Sequence, residues 1–446
     1  METTDFYFNM KKIFATAIMC LIAVQQTMAG SEITVVAKGA TASGVSLALP
    51  DDKITAAGEK TAATGEREIR LVLRQPFSGY CILEINRASK LLYIEDGARL
   101  TVTYSRDKSQ SPYTFTGACA AENTYLSAHE YMRVTLPDAI GDTDAAKALN
   151  DSLQSCSAHL KAQSQLSATF IKNEEKRRQY AVLNAFYRKM GWSGSALPDV
   201  KQWMDELPQL WMAQTYRSFF LDALYAVGRR GGRETIHDYT KAELEYAQKM
   251  TDTTVRDAVL SHVMTIYLNS RGADGTDDLM PLFLSAVTNG GIRANIAGSH
   301  SLWEKVRKGS RLPDFSFTDT EGKRVALSQF RGKYVLIDCW ATWCGPCKIQ
   351  LPHLEKVMDR YEGKNIVFIG ISSDKNKAAW QKMVKDRHMR GVQLNEPDAE
   401  AEFFTLFRVN AIPRFILLSP DGTVYDAHLP RPSDAALTAL LDTLLK

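Results

Sequence analysis

The chain has 446 residues, of which 45% are hydrophobic and 24% are charged, and its formal net charge is +3. This composition is that of a soluble globular protein, and the length predicts two or three domains rather than one core. The small net charge, without a basic block in the sequence, excludes nucleic acid from the expected partners.

The N-terminus has the order of a secretory signal peptide. Two lysines precede the apolar run 13–24, and the small-residue stretch "QTMAGSE" follows it. A run of this length is short of the roughly 20 residues that span a bilayer as a helix. We therefore expect residues 1–29 to be a signal peptide cleaved after Ala29, which places the protein in the periplasm or cell envelope. An uncleaved membrane anchor is the alternative.

Seven cysteines occur in the sequence, and the early ones do not form an obvious disulfide framework. Cys20 leaves with the signal peptide unless it is lipidated, and the preceding Met19 is not the small residue that lipidation usually requires. Cys81, Cys119 and Cys156 are scattered, so we interpret them as buried small apolar residues. A Cys81–Cys119 disulfide is a second interpretation, since an exported protein meets an oxidising compartment.

Residues 31–118 are predicted to form a small antiparallel β-sandwich or barrel. Segments such as "ITVVAKG", "REIRLVLRQ", "YCILEIN" and "ARLTVTYS" are rich in Val, Ile, Leu, Tyr and Thr and alternate in part between apolar and polar residues. Turn residues separate them about every ten positions, which is typical of such folds.

Residues 120–300 are predicted to form a helical domain of five to seven helices. Apolar residues recur at steps of three and four in segments such as "DAAKALNDSLQSCSAHLKAQ" and "EKRRQYAVLNAFYRKM", which indicates one apolar helix face. Trp203, Trp211, Phe219 and Phe220 could line a groove, but we assign them to the core because large apolar residues at helical spacing are usually buried.

Residues 313–446 alternate strands and helices, which predicts an α/β fold with a central sheet. "KYVLIDCWA" and "NIVFIGISS" are predicted buried strands, and "LPHLEKVMDRYE" is a predicted helix. "RFILLSPDGTVYDAHL" is a predicted hairpin that turns at Asp421-Gly422, and Ser433 is a plausible N-cap of the last helix. Residues 301–312 are polar and basic and are predicted to be a linker.

The motif "DCWATWCGPCK" carries the chemistry that the sequence predicts. Cys344 is placed between a strand and a helix, where the free backbone N–H groups at the helix start favour a thiolate. Cys347 lies one turn further on and can close a disulfide, while Gly345 and Pro346 fit a tight first turn. Cys344 is thus the expected nucleophile and Cys347 the resolving thiol. The alternative is a zinc site, for which the second pair of ligands is missing.

Asp338 interrupts an otherwise apolar strand six residues before the first cysteine of the motif. A carboxyl group buried there should have a raised pKa unless it is paired, which suits a general base beside a thiol. A hydrogen-bonded structural aspartate is the alternative. Cys339 should face the opposite side of the strand and pack, whereas Trp343 should border the disulfide.

Several of these residues together resemble the thioredoxin active site. "WATWCGPCK", Asp338, Pro352 inside the next helix and "AIPRF" match the family, and residues 310–446 resemble its exported TlpA/ResA branch. The resemblance implies a thioredoxin fold and a cis peptide bond at Ile412-Pro413. It also implies that Trp343, Gly345, Pro346, Ile412 and Pro413 contact the partner chain and that Asp338 moves the proton of the resolving cysteine.

Two further likenesses concern the particular role of the protein. Relatives with cytochrome-maturation roles commonly carry Glu three residues after the second cysteine, where this chain has Gln350. A neutral amide cannot transfer a proton as a carboxylate does, which argues against that role. The first 300 residues resemble a β-rich domain of unknown function that precedes thioredoxin modules in exported proteins of the Bacteroidetes type.

The resulting expectation is an exported thiol-disulfide oxidoreductase that reduces disulfide-bearing envelope proteins and receives electrons from a membrane thiol reductase. The dithiol itself carries the electrons, so no cofactor or metal is expected. One alternative is a thiol peroxidase, but Ala341 and Ile337 occupy positions where the resemblance to peroxiredoxins would require Thr or Ser and Pro. Another is a binding protein in which residues 31–300 hold a ligand and the thioredoxin module is auxiliary.

Overall fold

The computed structural model describes most of the chain beyond the first 29 residues. The predicted signal peptide, Cys20 and Cys156 lie outside the described residues. By contacts the chain forms two compact units, one of residues 1–232 with 250–258 and the other of residues 233–249 with 259–446. The described residues are 30–37, 42–50, 53–55, 57–61, 66–105, 112–129, 134, 145–155, 160, 163–190, 199–229, 235–395 and 397–446.

The N-terminal β-rich region is confirmed as two sheets that share one apolar core. Their strand orders are β4-β5-β1-β8-β9 and β3-β2-β6-β7, and residues such as Val35 and Leu83 from the two sheets belong to one buried cluster. The described strands are β1 (Glu32–Ala37), β2 (Val45–Ala48), β3 (Lys53–Thr55), β4 (Gly58–Thr61), β5 (Arg67–Val72), β6 (Gly79–Ile85), β7 (Ala88–Ile94), β8 (Arg99–Tyr104) and β9 (Tyr113–Gly117).

One pairing differs from the antiparallel arrangement that the sequence predicted. β1 pairs with β8 in parallel, with Glu32 opposite Arg99, whereas the other described pairs of this region are antiparallel. Parallel neighbours cannot be joined by a hairpin. Because β1 and β8 are far apart in sequence, no local turn signal could have revealed this pairing.

The central region is helical, as predicted. Trp211, Phe219 and Phe220 are buried, as their assignment to the core requires, while Trp203 is half-buried. The described helices are α1 (Ala120–His129), α2 (Ala145–Ser155), α3 (Ala168–Met190), α4 (Gln214–Arg229), α5 (Ile236–Ala247), α6 (Thr253–Arg271), α7 (Leu279–Ala286) and α8 (Gly290–Glu304).

The described residues of this region contain eight helices, α1–α8, where the sequence predicted five to seven. α7 is an eight-residue apolar stretch, too short to display a helical period. α8 opens with Gly290 and Gly291, which usually indicate a loop. No described helix is both long and apolar enough to cross a membrane.

The C-terminal module is the predicted α/β fold around one mixed sheet. The strand order is β11-β10-β14-β13-β12-β15-β16, with β12, β13 and β14 parallel and β15 and β16 antiparallel to their neighbours. The strands are β10 (Ser316–Asp319), β11 (Arg324–Ala326), β12 (Tyr334–Trp340), β13 (Ile366–Ser372), β14 (Val392–Asn395), β15 (Arg414–Leu418) and β16 (Val424–Leu429), and the helices are α9 (Gly345–Arg360), α10 (Lys377–Asp386), α11 (Pro397–Leu406) and α12 (Ala435–Leu444).

Residues 301–312, predicted to be a linker, consist in part of regular structure. The last turn of α8 contains Trp303, which is 1% exposed and whose ring lies 4.7 Å from that of His428 on β16. Further on, the Gly309 N–H donates to Val424 O at 2.7 Å, and the Val424 N–H donates to Ser310 O at 2.9 Å. This segment is therefore attached along β16 by packing and by backbone hydrogen bonds.

Candidate active site

The two cysteines of the motif lie at the junction of β12 and α9. Cys344 is the N-cap of α9, with extended backbone angles, and its sulfur accepts a hydrogen bond from the Cys347 N–H at 3.1 Å. Gly345 and Pro346 form the first turn, so the proline occupies a position whose N–H has no helical partner. The two cysteines are joined by a disulfide, with a Cα–Cα distance of 5.3 Å.

The surface around the disulfide is apolar and accessible. Trp343 is 69% exposed and Ile349 is 67% exposed, while Gly345 and Pro346 are also exposed. Large exposed apolar side chains grouped around a reactive bond are typical of a protein-binding surface. Both cysteines are buried, and their disulfide packs on the fully buried rings of Trp340 and Trp380.

The segment before β15 completes this surface on the other side of the disulfide. β15 pairs antiparallel with β12, with Arg414 opposite Cys339, which brings the preceding residues beside the start of α9. The Ile412-Pro413 peptide bond is cis, as the resemblance to thioredoxins implied. The carbonyl oxygen of Ile412 lies 3.7 Å from Cys344 Sγ.

Asp338 lies inside the module, beneath the helix that carries the cysteines. It is 5% exposed, and burial raises its pKa to about 7. Its Oδ1 atom has no hydrogen-bond partner among the described residues. Asp338 shares a cavity with Leu351 and Leu354 of α9, and Leu351 follows Cys347 by one turn on the same helix face. A carboxyl group that titrates near neutrality thus lies under the face that bears the second cysteine.

A second buried acid, which the sequence analysis missed, holds the loop that precedes Cys344. Asp374 accepts hydrogen bonds from the Thr342 N–H at 2.8 Å, from Thr342 Oγ1 at 2.6 Å and from Ser372 Oγ at 2.7 Å. Asn395 Nδ2 donates to the Asp374 carbonyl at 2.9 Å. An acid two residues beyond the end of the apolar strand β13 was the available signal, since loops at the carboxyl ends of parallel strands gather functional groups.

Gln350 and the positions compared with peroxiredoxins are all buried. Gln350 Oε1 accepts a hydrogen bond from the Ser433 N–H at 3.1 Å, so this amide serves a structural contact between α9 and the segment before α12. Ala341 and Ile337 are fully buried apolar side chains. Neither position offers the hydroxyl or the proline of the peroxidase alternative.

The sheet topology and the position of the disulfide define a thioredoxin-like oxidoreductase domain, and known proteins agree with that class. The AhpC/TSA family matches residues 308–427. The thiol-disulfide oxidoreductase ResA of Bacillus cereus strain ATCC 10987 is 31% identical over 128 residues, which is 28% of this chain and 72% of that protein. This chain therefore belongs to the ResA family of thiol-disulfide oxidoreductases.

Two further similarities cover a comparable share of the chain. ResA of Bacillus cereus strain ZK is 29% identical over 142 residues, which is 32% of this chain and 80% of that protein. The solved structure of a thiol-disulfide oxidoreductase from Bacteroides fragilis is 29% identical, covers 30% of this chain and 100% of its own, and has a TM-score of 0.28. The protein is a protein-disulfide oxidoreductase whose chemistry lies in its C-terminal module.

Proposed function

We propose that this enzyme is exported to the periplasm or cell envelope and reduces disulfides of envelope proteins through Cys344 and Cys347. The main support is the position of Cys344 at the N-terminus of α9, next to the Ile412 carbonyl and the exposed Trp343. A thiolate there is stabilised by the helix N-terminus. Trp343, Gly345, Pro346 and the Ile412-Pro413 segment are the proposed contacts to the partner chain.

The reaction is a two-step exchange. In the reduced enzyme the Cys344 thiolate attacks one sulfur of the partner disulfide, forming a mixed disulfide and releasing the other partner sulfur as a thiolate. Asp338 takes the proton of the Cys347 thiol, and the resulting thiolate attacks Cys344 Sγ. This step releases the second partner sulfur, so the partner gains two electrons and the enzyme becomes the disulfide. A membrane thiol reductase is proposed to return the electrons.

A trapping experiment tests the assignment of the two thiols. Cys347→Ala should accumulate mixed disulfides with envelope proteins because the second step cannot occur, whereas Cys344→Ala should not. Non-reducing gels of cells that express each variant report the trapped species, and Cys119→Ala, which changes a thiol far along the chain, serves as the control. Accumulation with Cys344→Ala instead would reverse the roles, and no accumulation with either variant would contradict the proposal.

A binding role for residues 31–300 is the second candidate. A groove of about 1030 Å³ lies within the N-terminal unit, where Arg70, Arg74 and Lys172 line it together with apolar residues such as Val72 and Phe77. A ligand site of that kind would leave disulfide chemistry as an auxiliary activity. Reduction of insulin disulfides and consumption of hydrogen peroxide by the pure protein distinguish the reductase from the binding protein and from the peroxidase.

A further inference from the structure

The segment between β13 and β14 is strongly basic. Among residues 375–390, six are lysine or arginine and one, Asp386, is acidic, in a chain whose net charge is only +3. All six basic side chains are exposed. Charge of one sign concentrated on a short segment produces a local electrostatic potential that attracts molecules of the opposite charge.

Four of these cations have no acidic partner. Lys382 pairs with Asp386 at 2.6 Å, and Arg390 pairs with Asp359. The remaining four form no ion pair among the described residues, and we call them the α10 cations: Lys375, Lys377, Lys385 and Arg387. Their charge is therefore available to a partner molecule, because no salt bridge neutralises it.

The α10 cations begin beside the loop that carries the cysteines. Asp374 binds that loop through two hydrogen bonds, and Lys375 directly follows it. Trp380, three residues after Lys377, packs in the buried cluster that contains both cysteines. Lys375 and Lys377 therefore lie at the same edge of the sheet as the disulfide.

The local structure of α10 does not call for cations at its start. Lys377 is the first residue of the helix, after the N-cap Asn376, and the first turn contains no acidic residue. Cations are unfavourable there because the free N–H groups give the start of a helix a partial positive charge, which favours acidic side chains instead. Residues that oppose a local preference are expected where function requires them.

The inner face of α10 decides which kind of partner suits the cations. Trp380 is fully buried, and Met383 and Val384 pack against the same cluster. A basic helix binds a membrane surface by burying its apolar face among the lipids, and here the module itself occupies that face. The cations can therefore act only by electrostatic attraction, and the disulfide beside them reacts with proteins. An acidic protein surface is the partner that fits both properties.

We propose that the α10 cations attract acidic residues that flank the disulfide of the partner protein, so that the enzyme reduces such disulfides in preference to those flanked by basic residues. This inference rests on the proposed reduction of partner disulfides through Cys344 and Cys347. Charges beside an interface act mainly on the rate of association. The α10 cations thus select a class of partner before any sulfur–sulfur bond is exchanged, and they do not identify a single protein.

Two disulfide peptides that differ only in their flanking residues, glutamate in one and lysine in the other, test this surface. The reduced full-length enzyme is mixed with each peptide and quenched with acid, and its remaining thiols are counted to give a second-order rate constant for oxidation. For the wild type, the constant for the acidic peptide should be about tenfold larger at low ionic strength. The two constants should become nearly equal at about 1 M salt, where the Debye length is about 3 Å.

Lys375→Gln combined with Lys377→Gln should lower the ratio of the two constants about threefold or more, because the attraction of the acidic peptide is weakened. Lys333→Gln combined with Lys364→Gln is the matched control. It removes the same charge from exposed positions just before β12 and β13, at the opposite edge of the sheet. Because the same thiol attacks both peptides, the ratio cancels any change in thiol reactivity.

An equal loss of the ratio in both double variants would show that net charge, and not this surface, selects the peptide, and would overturn the proposal. Equal constants for the two peptides in the wild type would also overturn it. So would binding to phosphatidylglycerol vesicles that Lys375→Gln with Lys377→Gln abolishes while the ratio stays unchanged, since the surface would then bind lipid head groups. Failure of the wild-type enzyme to react with either peptide at any ionic strength would instead contradict the proposed function itself.

Discussion

At the scale of single residues, the buried Asp338 distinguishes this site from a disulfide that has no acid–base group beside it. The carboxyl group lies on a central strand, and burial raises its pKa to about 7. In an unfolded chain the same group titrates near pH 4. The folded protein therefore keeps a proton that the unfolded protein releases, and its stability must depend on pH across this interval.

Asp338→Asn is expected to stabilise the oxidised protein at pH 8 and to leave it nearly unchanged at pH 4. Between these values the wild-type folded state binds one more proton than the unfolded state, so its free energy of unfolding falls as pH rises, by about 1.4 kcal/mol per unit. The full difference is about 4 kcal/mol at most, since the two pKa values differ by about three units. Asparagine cannot titrate, so the variant lacks this slope.

Urea unfolding curves of the oxidised proteins from pH 4 to pH 8 measure this difference. Asp386→Asn is the control, because Lys382 lowers the pKa of that exposed carboxyl and no slope of this sign follows between pH 4 and pH 7. Parallel stability profiles for wild type and Asp338→Asn would mean that Asp338 ionises normally, and the proposed proton transfer from Cys347 would lose its basis.

At the scale of elements, the position of the cysteines depends on the loop between β12 and α9. Asp374 binds this loop through the backbone and the hydroxyl of Thr342 and also accepts from Ser372. Asp374→Ala should lower the free energy of unfolding by about 3 kcal/mol, because buried donors lose their acceptor. Thr342→Val removes only the hydroxyl hydrogen bond and should cost about 1 kcal/mol.

Urea unfolding of the oxidised proteins at neutral pH measures both losses. After reduction, the rate at which iodoacetamide modifies Cys344 reports whether the thiol still lies at the helix N-terminus, and it should fall with Asp374→Ala more than with Thr342→Val. If the two substitutions lower the free energy of unfolding equally, Asp374 contributes only its hydrogen bond to the Thr342 hydroxyl. The loop would then be held by other contacts.

The sequence predicted the elements of this site better than their pairing. Gly345-Pro346 indicated the start of α9, and the turn at Asp421-Gly422 lies between β15 and β16 as predicted. Asp434, not Ser433, is the N-cap of α12, and its side chain accepts a hydrogen bond from the Ala436 N–H. Both neighbouring residues have the chemistry of an N-cap, so the sequence alone did not decide between them.

No local sequence pattern indicated the contacts between elements that are far apart along the chain. The register that places Asp338, Gly370 and Gln393 in one row depends on two strand pairings. Such registers follow from how whole faces are buried, which a single sequence does not specify. The burial of Asp338 could be predicted because the pattern of a single strand was enough to indicate it. The polar surroundings of Gly370 could not, since predicting them requires the pairing of three strands.

At the scale of the whole molecule, the C-terminal unit begins well before the thioredoxin-like sheet. It includes residues 233–249 and 259–446. Within it, Trp303 is buried against His428, with the Arg408 guanidinium 5.6 Å from the centre of its ring system. A fragment that starts at residue 306 lacks this tryptophan and leaves part of β16 uncovered.

We predict that residues 306–446 fold alone, since about 140 residues suffice for a core, but that they are less stable than residues 233–446. The loss of Trp303 should cost about 3–5 kcal/mol, as for other buried tryptophans. Urea unfolding of the two fragments measures the difference. Trp303→Ala in the longer fragment should reproduce most of it, while the exposed Leu302→Ala serves as its control. Equal stability of both fragments would show that α8 contributes nothing to the fold of the module.

The remaining prediction concerns why so much chain precedes the disulfide. The surface around Trp343 and Ile412-Pro413 offers mostly apolar and backbone contacts, which many partners can satisfy, so selectivity requires additional surface or tethering. Residues 233–446 should therefore reduce insulin at nearly the full-length rate but lose most of their preference for the partner identified by trapping with Cys347→Ala. The ratio of kcat/KM for the two substrates, measured for full-length protein and fragment, checks this. Equal losses on both substrates would mean that the N-terminal unit supports the active site itself, and equal retention would mean that it serves a separate binding function.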